Sequence, residues 1–155
     1  MLITGAGYDE ETVKNLLQIK IDEKLEAPKS QQEFEKFFTK KIQDTLQRYT
    51  YMRLMDFQHY KSIFIGEFDS ELLIKIMQTF KQQVIENEAF NNEVEQSFIY
   101  QFLMLVASTP NFEFSLEFLG SKEKELFASV LTRLNFASEE QRVEICKIFK
   151  IWWCI

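Results

Sequence analysis

Proline and glycine are scarce: two prolines and four glycines serve 155 residues. Sandwiches and barrels use many more of both in their turns, so the shortage argues against an all-β fold and toward helices. Histidine is scarcer still, with His59 the single copy. The two cysteines, Cys146 and Cys154, stand eight apart and match no metal-ligand spacing. No cluster of His, Cys, Asp or Glu has the short spacings that metal sites prefer, and the cysteine usage reads as a reduced, cytosolic chain. Positive charge is also in deficit. Eighteen Lys and Arg against 24 Asp and Glu leave a net charge of −6. No basic stripe is present to neutralise phosphates, which weighs against DNA, RNA and anionic membranes as partners.

Long apolar runs are missing too; none approaches the ~20 residues of a membrane-spanning helix. The opening MLITGAGYDEE has neither the basic start nor the apolar run of a signal peptide. The closing IWWCI places Cys154 next to last, whereas a prenylation box needs its cysteine fourth from the end.

What is present is apolar and aromatic. Hydrophobic residues make up 46% and aromatic residues 15%, and 16 phenylalanines supply most of the latter. A single domain of this length buries roughly 70% of the surface its unfolded chain exposes, so a substantial core is available.

Along the chain, residues 8–26 (YDEETVKNLLQIKIDEKLE) read as a modest helix capped by Asp9, with Val13, Leu16, Leu17 and Ile21 as its stripe. APKS breaks it, and residues 1–29 read as an extension or linker. The main domain spans 30–155. Ser30 and Glu33 have capping-box spacing. Phe34, Phe37, Phe38, Ile42, Leu46 and Tyr49 then follow at helical steps. Short helical pieces lead to Gly66, a candidate left-handed cap. After an Asp69 or Ser70 cap come Leu72, Leu73, Ile76, Met77, Phe80 and Val84, the clearest amphipathic stripe in the chain.

ENEAFNN reads as a loop, and Asn92 with Glu95 as another cap. FIYQFLMLVA is apolar nearly all round, as a central helix would be. Ser108 is a cap candidate, and Pro110 suits the first turn of a new helix. Helices from Ser121 and from Ser138 close the chain. Leu126, Phe127, Val130 and Leu134 face inward on the first of these. Cys146 on the second packs as a small hydrophobe.

The stretch NFEFSLEFLG, residues 111–120, puts apolar residues on every second position. A lone strand would leave unpaired backbone groups to bury, so the spacing predicts a short helix over 110–119. At about 100° per residue, Phe112, Leu116 and Leu119 fall within roughly 60° of one another and form the core face. Phe114 and Phe118 form an i,i+4 pair on nearly the opposite side, with Glu113 and Glu117 between. The outer pair either packs against a neighbouring helix or the C-terminal tail, or is a protein-docking ridge. Trp152 and Trp153 raise the same alternatives: a tail folded back on the domain, or anchors for a partner chain.

Catalytic groupings are thin. His59 stands alone, Gly5–Gly7 form a GxG without a third glycine, and the acidic pairs at helix starts suit the helix dipole. The residues argue for a protein without catalytic, cofactor or metal sites, and for protein-binding at Phe114, Phe118, Trp152 and Trp153.

The segments FEKFF (34–38), RYTYMRLMDFQHYKSIF (48–64), FDSELLIKIMQTF (68–80) and NFEFSLEFLGSKEKELFASVL (111–131), in this order, resemble the C-terminal domain of RNA polymerase II-associated protein 3. The same module is found in sperm-associated antigen 1 and coiled-coil domain-containing protein 103. The resemblance runs from about Phe34 to Asn135, and ASEEQRVEI is similar to the family's last helix. The chain departs from the pattern at Phe37 and Phe38, where the family usually has a tryptophan, and at Asp56-Phe57, where a proline is common. Its 86–92 loop is somewhat long, and residues 1–29 hold no tetratricopeptide repeat.

The resemblance implies an all-α single domain, a compact curved stack of about seven short antiparallel helices. It also implies an adaptor that docks on a RuvB-like AAA+ ATPase in a co-chaperone assembly, with axonemal dynein arms among the candidate clients. Its location would be cytoplasmic or ciliary. A structural component of a microtubule-based assembly, using the same surface, is the alternative; a stable axonemal pool on cell fractionation would favour it.

Overall fold

The computed structural model describes residues 26–151, and every regular element among them is helical. The expected helix over residues 8–26, nearly all of it, lies outside the described residues, as do Trp152, Trp153 and Cys154. Two compact units meet at Ile65–Gly66.

The first unit contains α1 (Gln31–Lys36), α2 (Thr45–Met52) and α3 (Phe57–Ile63). Ser30 caps α1 by accepting from the Glu33 N–H at 3.1 Å. The stripe from Phe34 to Tyr49 predicts one run of helix, but the structure divides it. α1 widens into a π-helical turn over Phe37–Lys41, and Ile42 is extended. Asp44 then starts α2 by accepting from the N–H groups of Leu46 and Gln47 at 2.8 and 3.3 Å. An aspartate that can bond free helical N–H groups favours a new start over continuation.

Phe34 is the hub of this unit. Its ring meets Phe38 at 5.3 Å, Tyr51 at 5.9 Å, Tyr60 at 6.1 Å and Phe64 at 5.2 Å. Tyr60 satisfies its buried hydroxyl by donating to the Met52 carbonyl at 2.5 Å. Arg48 is buried over the Phe38 ring and donates from Nε to the Ile42 carbonyl at 2.9 Å. Burial lowers its pKa. α3 stops at Phe64, ahead of Gly66. His59 is exposed, and its Nε2 lies 2.9 Å from the Pro28 carbonyl oxygen, a structural tether.

The second unit contains α4 (Ser70–Phe80), α5 (Glu93–Ala107), α6 (Phe112–Glu117), α7 (Ser121–Leu131) and α8 (Glu139–Ile148). Asp69 caps α4, and the whole stripe Leu72, Leu73, Ile76, Met77, Phe80 and Val84 is buried. α4 continues into a π-helical turn over Lys81–Ile85, and both pack on α7. Asn92 caps α5, whose Phe98 and Phe102 lie edge-on to Phe80 at 6.4 and 5.7 Å. Ser138 caps α8.

The end of α8 is a Schellman motif. The Ile151 N–H bonds the Cys146 carbonyl at 2.8 Å and the Lys150 N–H bonds that of Lys147 at 3.0 Å. Lys150 accordingly takes a left-handed φ of 57°. Cys146 is buried, as its place in the sequence predicts, but it is disulfide-bonded. That corrects the reading of it as a free thiol and removes cysteine usage as an argument for a reducing compartment.

Candidate functional site

α6 is built from both ends. The prediction of a helix starting at Pro110 is corrected: α6 begins at Phe112, and Asn111 precedes it with a left-handed φ of 58°. Ser108 terminates α5 and caps no new helix. Asparagine tolerates the left-handed region better than most residues. Here its side-chain amide also donates to the Glu67 carboxylate, while its carbonyl accepts from the Ser115 N–H at 3.1 Å. At mid-helix the buried Ser115 hydroxyl donates to the Phe68 carbonyl at 2.5 Å. Glu123 accepts from the Gly120 N–H at 2.9 Å, and α7 starts at Ser121, three residues beyond the α6 cap Phe118.

Held this way, α6 sorts its side chains as the helical period demands. Phe112, Leu116 and Leu119 are 4%, 3% and 7% exposed, and the Phe112 ring meets Phe149 edge-on at 5.1 Å. Phe114 and Phe118 are 57% and 65% exposed. Their centroids stand 5.0 Å apart at an interplanar angle of 88°. The pair forms a short aromatic ridge, flanked by the exposed carboxylates of Glu113 and Glu117.

Beside the ridge runs an open groove of about 720 Å³ between the C-terminal end of α5, α6 and α8. Met104, Ala107, Phe112, Phe114 and Ile148 give it apolar surface, Ser108, Thr109 and Asn111 add polar groups, and Glu113 and Glu117 supply its charge. No Lys or Arg lines it among the described residues. Sequence reasoning missed this groove. Its walls come from three separate helices, and Met104 and Ile148 sit half-buried there, off the core faces. Ile65 and Val94, 75% and 45% exposed, are two further apolar surface residues that the sequence did not single out. Trp152 and Trp153, the other predicted anchors, lie outside the described residues.

Among the described residues no group of three or more His, Cys, Asp or Glu could hold a metal ion, and no helix is long and apolar enough to cross a membrane. The geometry offers an exposed aromatic ridge beside a groove of mixed apolar and polar lining with an acidic rim.

A family model described as the potential Monad-binding region of RPAP3 matches residues 27–124, from just before α1 into α7 and including all of α6. No curated protein and no solved structure matches the chain. The matched span is well over half of the sequence, and its all-helical order agrees with the segments that carry the resemblance: the chain belongs to the RPAP3 C-terminal domain family and carries a protein-interaction module.

Proposed function

We propose that this protein is a non-enzymatic co-chaperone adaptor. It docks on a RuvB-like AAA+ ATPase through the Phe114–Phe118 ridge and serves the assembly of large multiprotein complexes, axonemal dynein arms among them. It acts in the cytoplasm, with a ciliary pool where dynein arms are the client. The observation that carries the reading is the exposure of two adjacent phenylalanines on a helix whose other apolar face is fully used. Each ring left in water forgoes about 1.5–3 kcal/mol of burial, which a partner surface would recover. The family description supports protein binding and names Monad, which makes a Monad-type protein the second candidate for this surface.

The test is a pull-down of purified chain with purified RuvB-like ATPases and, in parallel, Monad. Micromolar or tighter binding to the ATPase is expected, lost in Phe114→Glu and Phe118→Glu while helicity and Tm stay near wild type. Trp152→Ala and Trp153→Ala in the same assay measure what the C-terminal tail adds as an anchor. Absence of ATPase binding by the wild-type chain overturns the reading.

A further inference from the structure

The groove beside the ridge has its own recognition chemistry. Apolar Met104, Ala107, Phe112 and Ile148 share its wall with polar Ser108 and Asn111, its volume of about 720 Å³ exceeds that of a single side chain, and its charged lining residues are two carboxylates, Glu113 and Glu117. We propose that this groove seats the apolar face of an amphipathic helix whose flanking positions carry Lys or Arg, so that the partner segment is basic. The inference rests on the reading of the Phe114 face as the docking surface and deepens it by naming the chemistry of what docks.

Three observations select this occupant. The groove runs between three helices and has apolar side chains along its wall, the form of surface that receives the apolar face of a helix. The carboxylates project from the same helix as the ridge, at positions 113 and 117, and no lining cation neutralises them. A partner that desolvates them must bring positive charge or leave them unpaired. A second copy of this chain is a poor fit for the same reason. It would bring another Glu113 and Glu117 to the first pair, in a molecule that already carries a net charge of −6.

Binding of two labelled helical peptides of equal length, one patterned with Leu and Lys and one with Leu and Glu, tests this on the full chain by fluorescence anisotropy. The wild type is expected to bind the Leu/Lys probe at least tenfold more tightly. Ala107→Trp fills the groove without changing charge, and is expected to weaken that binding tenfold or more with helicity unchanged. Met104→Trp serves the same purpose if the first variant fails to fold. Glu113→Gln with Glu117→Gln is expected to flatten the salt dependence of binding.

Equal affinity for the two probes overturns the proposal. So does wild-type affinity in a folded groove-filling variant, or a concentration-dependent dimer that Ala107→Trp abolishes. The probes contain no ATPase, so a failed ATPase pull-down leaves these results standing. An ATPase that binds Ala107→Trp as well as wild type removes the groove from the interface and keeps the ridge.

Discussion

The Phe114 and Phe118 rings meet edge to face across one turn of α6, 5.0 Å between centroids, and both face water. Two residues before Phe114 on the same helix, Phe112 is buried against Phe149. The contrast yields the first prediction. Phe112→Ala should lower unfolding free energy by about 3–5 kcal/mol. Phe114→Ala or Phe118→Ala should change it by less than about 1.5 kcal/mol, the upper worth of an aromatic pair. Urea denaturation of the three variants checks this, and a large loss in either outer variant would show that the ridge is part of the core.

Ser115 fastens α6 from beneath through its bond to the Phe68 carbonyl. Ser115→Ala leaves a buried acceptor without its donor, and should destabilise by about 1–3 kcal/mol. Chemical denaturation measures the loss. A neutral effect would mean that the bond does not hold in solution.

Lys150 occupies the left-handed position of the Schellman motif, where glycine carries no side-chain penalty. Lys150→Gly should raise stability by about 0.5–1 kcal/mol, and Lys150→Val should lower it. Melting temperatures of the pair decide the point; the reverse order would contradict the left-handed backbone.

The alkaline limit follows from buried phenols. Burial, and the nearby Glu33 charge, raise the Tyr51 phenol. Burial and the neighbouring Tyr51 raise Tyr60, against a smaller opposing pull from Arg53. A phenol whose folded pKa is raised contributes stability that is intact below the unfolded value of about 10 and is lost as pH climbs toward the folded value. Stability should therefore fall above about pH 10. Absorbance at 295 nm should show these two tyrosines ionising together with loss of helical circular dichroism. Complete tyrosine ionisation in a chain that stays helical would refute it.

The structure also shows where the sequence was readable. The stripe from Leu72 to Val84, along α4 and its π-helical turn, and the two faces of α6 follow from helical period alone, because each side chain's direction is fixed by its own backbone. The caps at Ser30, Asp69, Asn92 and Ser138 were equally legible, since each is a bond to a backbone group three residues away. The break at Ile42–Asp44 was not. The apolar stripe runs on past it, and the competing aspartate cap interrupts the helix without disturbing the pattern. The start of α6 was misplaced because Pro110 resembles a first-turn proline, while Asn111, tied to Glu67, sets the actual boundary. The groove could not be read at all, since Ala107, Glu113 and Ile148 become neighbours only when α5, α6 and α8 pack.

Because α6 keeps its inward triplet and its outward pair on separate faces, the letters that hold the domain together and those that meet water are spelled independently in one short word. Positions 114 and 118 can be rewritten while the buried positions hold still, without the chain first having to survive a weakened domain.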